Sequence, residues 1–448
     1  MKKIIKVISI STLMLLFFVL NMIVDKKEEK EINYKGLAMT IDGEVVEDLP
    51  IEGYYYLNSI CEGGNLTWDI YSRTLKFKGD GSLNYSSCKL DFESIDLKIY
   101  ISGVESTTLP TGEGYSISSN CGNATVTYTY PSLSVTATEN PVTCEIYFDI
   151  NLKGKILADN TAQSDAGIDF AHASDVYGTN GFYYTNDLTR TEDINGDGTG
   201  EVVYYYRGNV ENNYLVFANY CWRIVRTVED GSVRLRYGGK PTQNGQAYIC
   251  PQTGIAVNIG ETQYYNLANN KSYVNYKTSD IRTTVENWYR DNIWKNGQNT
   301  KVTNLIADTP YCNDMTEPTT TNYFGAYDRI HNPQYKCPSS IYAYTVAKGD
   351  LHYPIALLTS DEVIYAGGEL GEDNSNYYLY TGEDYWTMSP YYFRTNARML
   401  YITNSGYLAS ASPRDNYTII PVISLIEKTS LERGTGLYND PYVINTGE

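Results

Sequence analysis

The sequence predicts an α+β protein in which β-structure is in the majority: two small β modules, each held by a disulfide, precede a larger domain with few helices. Three observations predict this class. Short alternating stretches broken by Gly, Pro and Asn recur along the chain, which is typical of strands joined by tight turns. The first part of the chain contains an internal repeat, and the eight cysteines of the chain fall into sequential couples. A chain of 448 residues is long enough for about two to four domains.

The N-terminal segment predicts export across a membrane. Three lysines lie among residues 1–6, and residues 7–24 form an almost unbroken apolar run. A basic segment before an apolar one is a secretion signal, and the positive-inside rule places the following chain outside the cell. As a helix, the apolar run would measure about 27 Å, which is enough to cross the hydrocarbon core. We interpret residues 1–24 as a signal anchor and residues 25–35 as a charged linker, so that the protein is extracellular and attached to the cell membrane; a cleaved signal peptide, with secretion, is the alternative.

Composition indicates which partners suit the chain. Asp and Glu number 53 against 35 Lys and Arg, which gives a formal net charge of -18. This balance argues against nucleic acid as a partner, because binding to phosphates needs a basic surface. Tyrosine is the dominant aromatic residue, with 45 copies against 10 Phe and 5 Trp. Since its ring is apolar and its hydroxyl is polar, tyrosine suits half-buried strands and hydrated binding surfaces.

The cysteines predict four disulfides between sequence neighbours. Their number is even, and none forms a CxxC pair of the kind used for zinc or thioredoxin-like chemistry. Each bridge would close a short loop and stabilise the fold by roughly 2–4 kcal/mol, as is usual outside the cell. Free buried thiols in a reducing compartment are the alternative. The predicted pairs are Cys61 with Cys88, Cys121 with Cys144, Cys221 with Cys250, and Cys312 with Cys337.

Residues 39–92 and 99–148 repeat one pattern. A unit of about 55 residues is too small to rely on a hydrophobic core alone, so an internal disulfide is the expected support. We predict two β modules, at residues 36–95 and 96–151, that act as spacers of a stalk; a binding role is the alternative. The matching positions are Gly43 and Gly103, Leu49-Pro50 and Leu109-Pro110, Gly53-Tyr54 and Gly114-Tyr115, Cys61 and Cys121, and the C-x-[LI]-x-F segments at 88–92 and 144–148.

Residues 152–448 are expected to form one further domain, because no second Pro-, Gly- and Ser-rich linker interrupts them. Cys221–Thr227 and Ser232–Tyr237 are predicted to pair as a hairpin across an Asp-Gly turn, the strongest short turn signal in the chain. Helices are predicted at Ser279–Ile293 and Thr359–Ala366, each opening on a capping hydroxyl. The other predicted strands are Val202–Arg207, Tyr385–Met388, Ala397–Thr403, Tyr407–Ala409 and Ile419–Ile426.

Five ordered motifs of this domain carry a resemblance to known proteins. They are CWRIVRT (221–227), SVRLRYGG (232–239), YPIALLTSDEVIYAGG (353–368), YWTMSP (385–390) and IIPVISL (419–425). Together they resemble an uncharacterised C-terminal domain family of bacterial surface proteins, and the closing GTGLYNDPYVI (434–444) is similar to the tail of those proteins. The resemblance covers most of residues 165–445. It departs from the family at Ile420, where the family has an arginine before the proline.

By its terminal pattern the domain is also similar to the C-type-lectin-like fold of formylglycine-generating enzymes and of the variable proteins of diversity-generating retroelements. This resemblance implies that the C-terminal hairpins carry an exposed binding face, here Tyr391–Tyr417, whose Tyr, Arg, Asn and Ser suit adaptable recognition. An ordinary polar sheet face in a tyrosine-rich protein is the alternative. The predicted ligand-binding residues are Tyr391, Tyr392, Arg394, Tyr401, Asn404, Tyr407, Ser410, Arg414, Asn416 and Tyr417. The positions expected to face inward are Phe393, Ala397, Met399, Ile402 and Leu408.

Residues 193–201 resemble the opening of a calcium loop. Asp193, Asn195 and Asp197 supply oxygens at positions 1, 3 and 5, and Glu201 lies at position 9. Position 12 is Tyr204 rather than an acid, and a strand is predicted there instead of a helix. Calcium is therefore a candidate cofactor, and a metal-free Asp/Asn/Gly turn is the alternative.

No catalytic constellation is visible in the sequence. The three histidines stand in dissimilar contexts, and no G-x-S-x-G, P-loop or dinucleotide motif occurs. The acidic clusters Glu369–Asp373 and Glu383-Asp384 are interpreted as solvated loops in an acidic chain. The expected function is therefore binding of a glycan or a protein on a cell, phage or host surface. An envelope enzyme acting on glycans or peptides and a structural surface-layer subunit are the alternatives.

Overall fold

The structure of the chain is a computed structural model that describes residues 38–61, 64–79, 88–137, 142–245, 247–266, 271–318, 321–393 and 396–447. β-strands make up 37% of it and helices 13%, which confirms that β-structure is in the majority. The predicted anchor at residues 7–24 lies outside the described residues. Within the described ranges, no helix has both the length and the apolar character needed to cross a membrane.

All four predicted disulfides are present. They join Cys61 to Cys88, Cys121 to Cys144, Cys221 to Cys250 and Cys312 to Cys337. Each bridge connects consecutive cysteines, as the spacing and the repeat predict. No cysteine is left free for nucleophilic chemistry in the part of the chain that the structure describes.

The repeat region consists almost entirely of short strands. Its strands are β1 (Ala38–Ile41), β2 (Glu44–Val46), β3 (Tyr55–Ile60), β4 (Gly64–Asp69), β5 (Thr74–Gly79), β6 (Lys89–Ile101), β7 (Val104–Ser106), β8 (Tyr115–Asn120), β9 (Thr125–Thr129), β10 (Ser132–Thr136) and β11 (Val142–Ile150). The two copies match element by element, since β3 corresponds to β8, and the β4–β5 hairpin to the β9–β10 hairpin. The turns at Asp42-Gly43 and Ser102-Gly103 both have positive φ angles. These are 48° and 84° in the first turn and 51° and 79° in the second. Two successive positive φ angles are what a two-residue hairpin turn requires, which explains why glycine recurs there.

The chain divides into two compact units, the first made of residues 38–98 and 119–146. In this unit β1 lies parallel to β6, and β3 lies antiparallel to it. The β9–β10 hairpin of the second repeat packs on β4 of the first: the Ile70 amide donates to the Leu133 carbonyl at 3.0 Å, and the Ser134 hydroxyl donates to the Trp68 carbonyl at 2.9 Å. The Trp68 ring meets Phe92 edge-on at 5.0 Å. Strands from both repeats therefore share one small core.

The second unit comprises residues 99–118 and 147–447. Its further strands are β12 (Gln163–Ser164), β13 (Gly181–Thr185), β14 (Val203–Arg207), β15 (Tyr214–Phe217), β16 (Tyr220–Thr227), β17 (Val233–Tyr237), β18 (Thr242–Asn244), β19 (Ala247–Ile249), β20 (Glu261–Gln263), β21 (Tyr311–Cys312), β22 (Ala343–Tyr344), β23 (Tyr385–Tyr392), β24 (Arg398–Ile402), β25 (Leu408–Ala411), β26 (Asn416–Thr418), β27 (Val422–Leu425), β28 (Leu431–Arg433) and β29 (Tyr442–Ile444).

The helices of this unit are short. The α-helices are α1 (Leu152–Asp159), α2 (Asp280–Tyr289), α3 (Thr300–Thr303), α4 (Gly325–Asp328) and α5 (Ser360–Ala366). A π-helical turn, Arg290–Trp294, prolongs α2, and single 3-10 turns lie at Lys271–Val274, Tyr276–Thr278, Lys295–Gly297 and Ser340–Tyr342. The predicted helix starts are confirmed: Ser279 accepts from the Arg282 amide, and Thr359 forms a complete capping box with Glu362.

Two sheets organise the second unit. The larger follows the order β12-β13-β14-β16-β15-β29-β28, and β17 links β16 to β27. The predicted hairpin is confirmed by the antiparallel β16–β17 pair, with Gly231 in the turn at φ 83°. The smaller sheet has the order β20-β26-β23-β24-β25 and contains the predicted ligand-binding segment. Both sheets contribute to one continuous hydrophobic core.

Loss of a disulfide is expected to destabilise this unit. We expect the Cys221→Ala/Cys250→Ala variant to lose about 2–4 kcal/mol of unfolding free energy, because the bridge restricts the unfolded chain. The Cys312→Ala/Cys337→Ala variant is the matched control, since the two bridges close similar separations of 29 and 25 residues. Cys221 and Cys250 are buried against Tyr214 and Val216, so their replacement should cost more. Guanidinium unfolding curves test this, and a loss of stability in the Cys221→Ala/Cys250→Ala variant no larger than in the control would contradict it.

Candidate functional site

The predicted binding segment lies on the smaller sheet, where three adjacent strands present an aromatic group. Trp386 lies on β23, between β26 and β24. It is fully buried, whereas Tyr401 of β24 and Tyr417 of β26 are only half-buried. The two tyrosine rings stack on each other with centroids 4.3 Å apart and an interplanar angle of 15°. Both rings contact Trp386, at 6.3 Å and 4.7 Å, so the indole supports the stacked pair from below.

Polar residues lie at the end of the sheet where β23 begins and β24 ends. Asn404 and Asn416 are exposed, and the Asn404 amide donates to the Asp384 carboxylate at 2.7 Å. Burial raises the pKa of both tyrosines, and the nearby charge of Asp384 adds to that rise. The tyrosines are therefore neutral at physiological pH and retain their hydroxyl protons. We call Tyr401, Tyr417, Asp384, Asn404 and Asn416 the tyrosine ridge.

The other predicted residues of the segment take several environments. Arg414 is exposed, and Tyr407 and Ser410 are half-buried. The Ser410 hydroxyl accepts from the Arg398 guanidinium at 2.9 Å. Arg394 lies outside the described residues. Of the positions expected to face inward, Ala397, Met399, Ile402 and Leu408 are buried, and Phe393 is half-buried.

Tyr391 and Tyr392 belong to a separate aromatic cluster. Tyr323 packs between them, with ring centroids 5.1 Å from Tyr391 and 5.4 Å from Tyr392. Tyr327 stands 4.2 Å from Tyr323 and 4.8 Å from Tyr391. Burial and these neighbouring rings raise the pKa of Tyr391 to about 12. Sequence reasoning missed Tyr323 and Tyr327, because no local pattern connects them to a strand some 65 residues away.

No protein-family model, curated protein or solved structure that we compared with the chain matches it. The resemblance to a surface-protein family therefore stays a prediction that depends on the five sequence motifs.

The predicted calcium loop forms a compact turn whose oxygens accept backbone hydrogen bonds. Asp193 accepts from the amides of Gly196 and Gly198 at 2.7 and 3.0 Å. Asn195 accepts from the Asp197 amide at 2.9 Å, and Glu201 accepts from the Asn195 amide at 3.3 Å. Among the residues that the structure describes, no group of three or more His, Cys, Asp or Glu side chains is placed to hold a metal ion. Calcium binding at residues 193–201 stays a prediction.

A cavity of about 410 Å³ lies beside this turn, whose Asp193 contributes to its lining, and sequence reasoning did not find it. Its lining includes five acids and five bases: Glu192, Asp193, Glu229, Asp361 and Glu362 with Arg226, Arg234, Arg329, Lys336 and Lys348. Arg226, Arg234, Asp361 and Glu362 are all at most 5% exposed. A concave site that combines buried charges with aromatic walls is a candidate for binding a small polar molecule.

Ion pairs centred on Arg329 and on Arg226 form the frame of this cavity. Arg329 contacts Asp314 and, at 3.2 Å, Asp361. Arg226 contacts Glu362 at 3.1 Å. Burial alone would raise the pKa of Glu362, but the two arginines Arg234 and Arg226 outweigh it and lower that pKa below its ordinary value. Glu362 is therefore a carboxylate at neutral pH.

The acidic stretch after α5 is only partly a solvated loop, which corrects the sequence interpretation for Glu369. This residue is 3% exposed, and one of its carboxylate oxygens lacks a hydrogen-bond partner within the described part of the chain. His331 Nδ1 lies 3.5 Å from the other oxygen. Burial, with a further contribution from Glu372, raises the pKa of Glu369 to about 7. The raised pKa of Glu369 could not be predicted from the net charge of the chain. It depends on the burial of this one acid, and elements distant in the sequence cover it.

Proposed function

We propose that this protein is an extracellular, membrane-anchored bacterial surface protein whose second unit binds a glycan or a protein through the tyrosine ridge. The observation that carries the proposal is the stacked pair of half-exposed tyrosines on a buried indole, beside exposed asparagines. Tyrosine provides a large contact area with few rotatable bonds, and asparagine supplies adaptable hydrogen bonds. Because the stack already fixes both rings, little side-chain entropy is lost when a ligand binds.

The compartment and the fold are part of the same proposal. Four disulfides suit an oxidising environment outside the cell, and the apolar run at residues 7–24 would supply the anchor. We further propose that residues 152–448 form a C-type-lectin-like domain, supported by the motif order and by the position of the smaller sheet near the C-terminus. The partner would be a molecule on a cell, phage or host surface.

The Tyr401→Ala/Tyr417→Ala variant tests the proposal. We expect its binding to glycan arrays and to bacterial or host cells to fall at least about tenfold relative to wild type, as is usual when central aromatic contacts are removed. The matched control is Tyr100→Ala/Tyr147→Ala, which removes another stacked pair of half-buried tyrosines, with centroids 4.9 Å apart, far along the sequence from the ridge. Circular dichroism and thermal unfolding verify the fold of each variant.

Three outcomes are informative. Binding that is lost in the ridge variant and kept in the control supports the proposal. Equal binding by both variants and wild type would place the binding site elsewhere and contradict the proposal. Absence of binding by the wild type would also contradict it and would favour the envelope enzyme or the surface-layer subunit.

A further inference from the structure

We propose that the Cys312–Cys337 disulfide is a site of thiol–disulfide exchange, which small thiols of the size of cysteine or glutathione reach through the 410 Å³ cavity of the second unit. Neither cysteine belongs to the tyrosine ridge, so the inference goes beyond the proposed surface recognition and does not depend on it. Its basis is the position of this bridge, since both of its cysteines line the cavity and are only half-buried.

The disulfides of the chain differ in how far they are buried. Cys312 and Cys337 are both half-buried. In each of the other three bridges at least one cysteine is buried: Cys88, Cys121, Cys144, Cys221 and Cys250 are at most 5% exposed. Cys312–Cys337 is therefore the bridge in the described structure that has two partly accessible cysteines.

The cavity supplies a route to this bridge. The exposed residues Ser340 and Lys348 contribute to its lining, so its wall extends to the protein surface. Its volume of about 410 Å³ is in the range of small-molecule sites and accommodates one small thiol. Because exchange requires attack on a disulfide sulfur, access to that sulfur is one of the factors that set its rate. The position of both cysteines in the cavity wall therefore favours exchange at this bridge.

Two lysines of the wall favour the anionic form of a thiol. Lys336 directly precedes Cys337, and its ammonium donates to the Leu188 carbonyl. The Lys348 ammonium donates to two backbone carbonyls, at 2.6 and 2.8 Å. These acceptors are neutral, whereas the arginines of the lining form ion pairs with acids. A cation beside a cysteine stabilises its thiolate, which is the species that attacks and leaves in exchange.

The fold keeps the two cysteines near each other by bonds that do not involve the bridge. Cys312 lies on β21, which pairs with β22. Just before Cys337, the amides of Tyr335 and Lys336 both donate to the Arg190 carbonyl, at 2.7 and 3.0 Å. We therefore expect the fold to persist when the bridge is opened and the bridge to form again when the small thiols are removed.

The exchange has two steps. The thiolate of an incoming small thiol attacks one sulfur of the bridge and forms a mixed disulfide with it, and the other cysteine leaves as a thiolate. A second small thiolate then attacks the small-molecule sulfur of the mixed disulfide and releases the first cysteine, also as a thiolate. The bridge gains two electrons from the two small thiols, which are oxidised to their own disulfide. The protons of the small thiols pass to the two cysteine thiolates.

Disulfide mapping of the full chain in detergent micelles tests the proposal. The protein is incubated with reduced glutathione, the reaction is stopped with iodoacetamide, and the free thiols of each bridge are quantified by mass spectrometry over time. We expect Cys312–Cys337 to react at least about tenfold faster than Cys221–Cys250. The second bridge is the matched control, because the two close similar separations of 25 and 29 residues but Cys221–Cys250 is buried. Circular dichroism verifies that the fold is kept. Absence of reaction at Cys312–Cys337, or a rate no faster than that of the control, would overturn the proposal.

Two single-cysteine variants test access without prior reduction. Cys337→Ser leaves Cys312 as a free thiol in the cavity wall, and the control Cys250→Ser leaves Cys221 as a buried one. We expect Cys312 to react with 5,5′-dithiobis(2-nitrobenzoate) at least about tenfold faster than Cys221. Thermal unfolding verifies the fold of each variant. Equal reaction rates of the two thiols would contradict access through the cavity.

The contribution of the lysine next to the bridge can be measured separately. We expect Lys336→Gln to slow the reaction of Cys312–Cys337 with glutathione about threefold, because the thiolates lose a neighbouring cation. The control is Lys240→Gln, since Lys240 is exposed and does not line the cavity. An equal effect of the two variants would overturn the role of Lys336.

Discussion

Replacement of Glu362 by glutamine is expected to lower the free energy of unfolding by about 3–5 kcal/mol at neutral pH. Glutamine keeps the volume and the capping-box acceptor but removes the charge shared by Arg226 and Arg234. The side chains of both arginines are at most 5% exposed, so water cannot replace the lost anion. Two buried like charges on opposite strands would then face each other, and among the described residues Glu229 would be the one carboxylate left in contact with Arg226.

The loss should depend on pH in a defined direction. Because Arg234 and Arg226 hold the pKa of Glu362 below its ordinary value, its ionised form stabilises the fold above the ordinary pKa and ceases to do so as pH falls through the lowered one. The difference between wild type and Glu362→Gln should therefore shrink in strong acid. Urea unfolding at pH 7 and in acid measures this, with exposed Glu211→Gln as the control that shifts by no more than about 0.5 kcal/mol. A neutral-pH loss no larger than that of the control would contradict the prediction.

Elements with local signals could be predicted from the sequence. The β16–β17 hairpin follows from its Asp-Gly turn, and helices α2 and α5 begin at the predicted capping residues Ser279 and Thr359. The Cys61–Cys88 and Cys121–Cys144 disulfides follow from the repeat, because one couple of cysteines recurs within each unit of the pattern. All of these signals act over a few residues or through a visible periodicity.

The buried charges could not be predicted in the same way. Arginines that alternate with apolar residues along a strand normally mark a solvent-facing side. In the β16–β17 hairpin all such arginines are instead 4% exposed or less: Arg223, Arg226, Arg234 and Arg236. Partners distant in sequence cover them, such as Glu362 for Arg226 and the Leu379 carbonyl for Arg236. The sequence pattern shows which residues share a strand face but not what is packed against that face.

The same limit applies to the candidate binding surface. The pairing of Tyr401 with Trp386 depends on the register of β23 and β24, which contains irregularities after Trp386 that no sequence rule specifies. These register shifts accompany the division of the predicted ten-residue face into the tyrosine ridge and the Tyr391–Tyr392 cluster. Alternation alone would have treated the whole segment as one surface.

Replacement of Glu369 by glutamine is expected to stabilise the protein above neutral pH. Burial raises the pKa of this acid to about 7 from an ordinary value of 4.5. The folded state therefore holds the proton more tightly than the unfolded state, and stability is full below about pH 4.5 and declines as pH rises through 7. A shift of this size corresponds to about 3 kcal/mol. Glutamine resembles the protonated acid, so the variant should avoid most of that decline.

Urea unfolding of wild type and Glu369→Gln at pH 4.5, 6 and 8 measures the effect. The two curves should nearly coincide at the lowest pH and separate by up to about 3 kcal/mol at the highest, with the variant more stable. The exposed Glu211→Gln variant should follow the wild type throughout. Parallel profiles for wild type and Glu369→Gln would mean that Glu369 titrates at its ordinary pKa. In that case the buried carboxylate would have to be stabilised by the Leu370 amide and by the charge of Arg207, both of which lower its pKa.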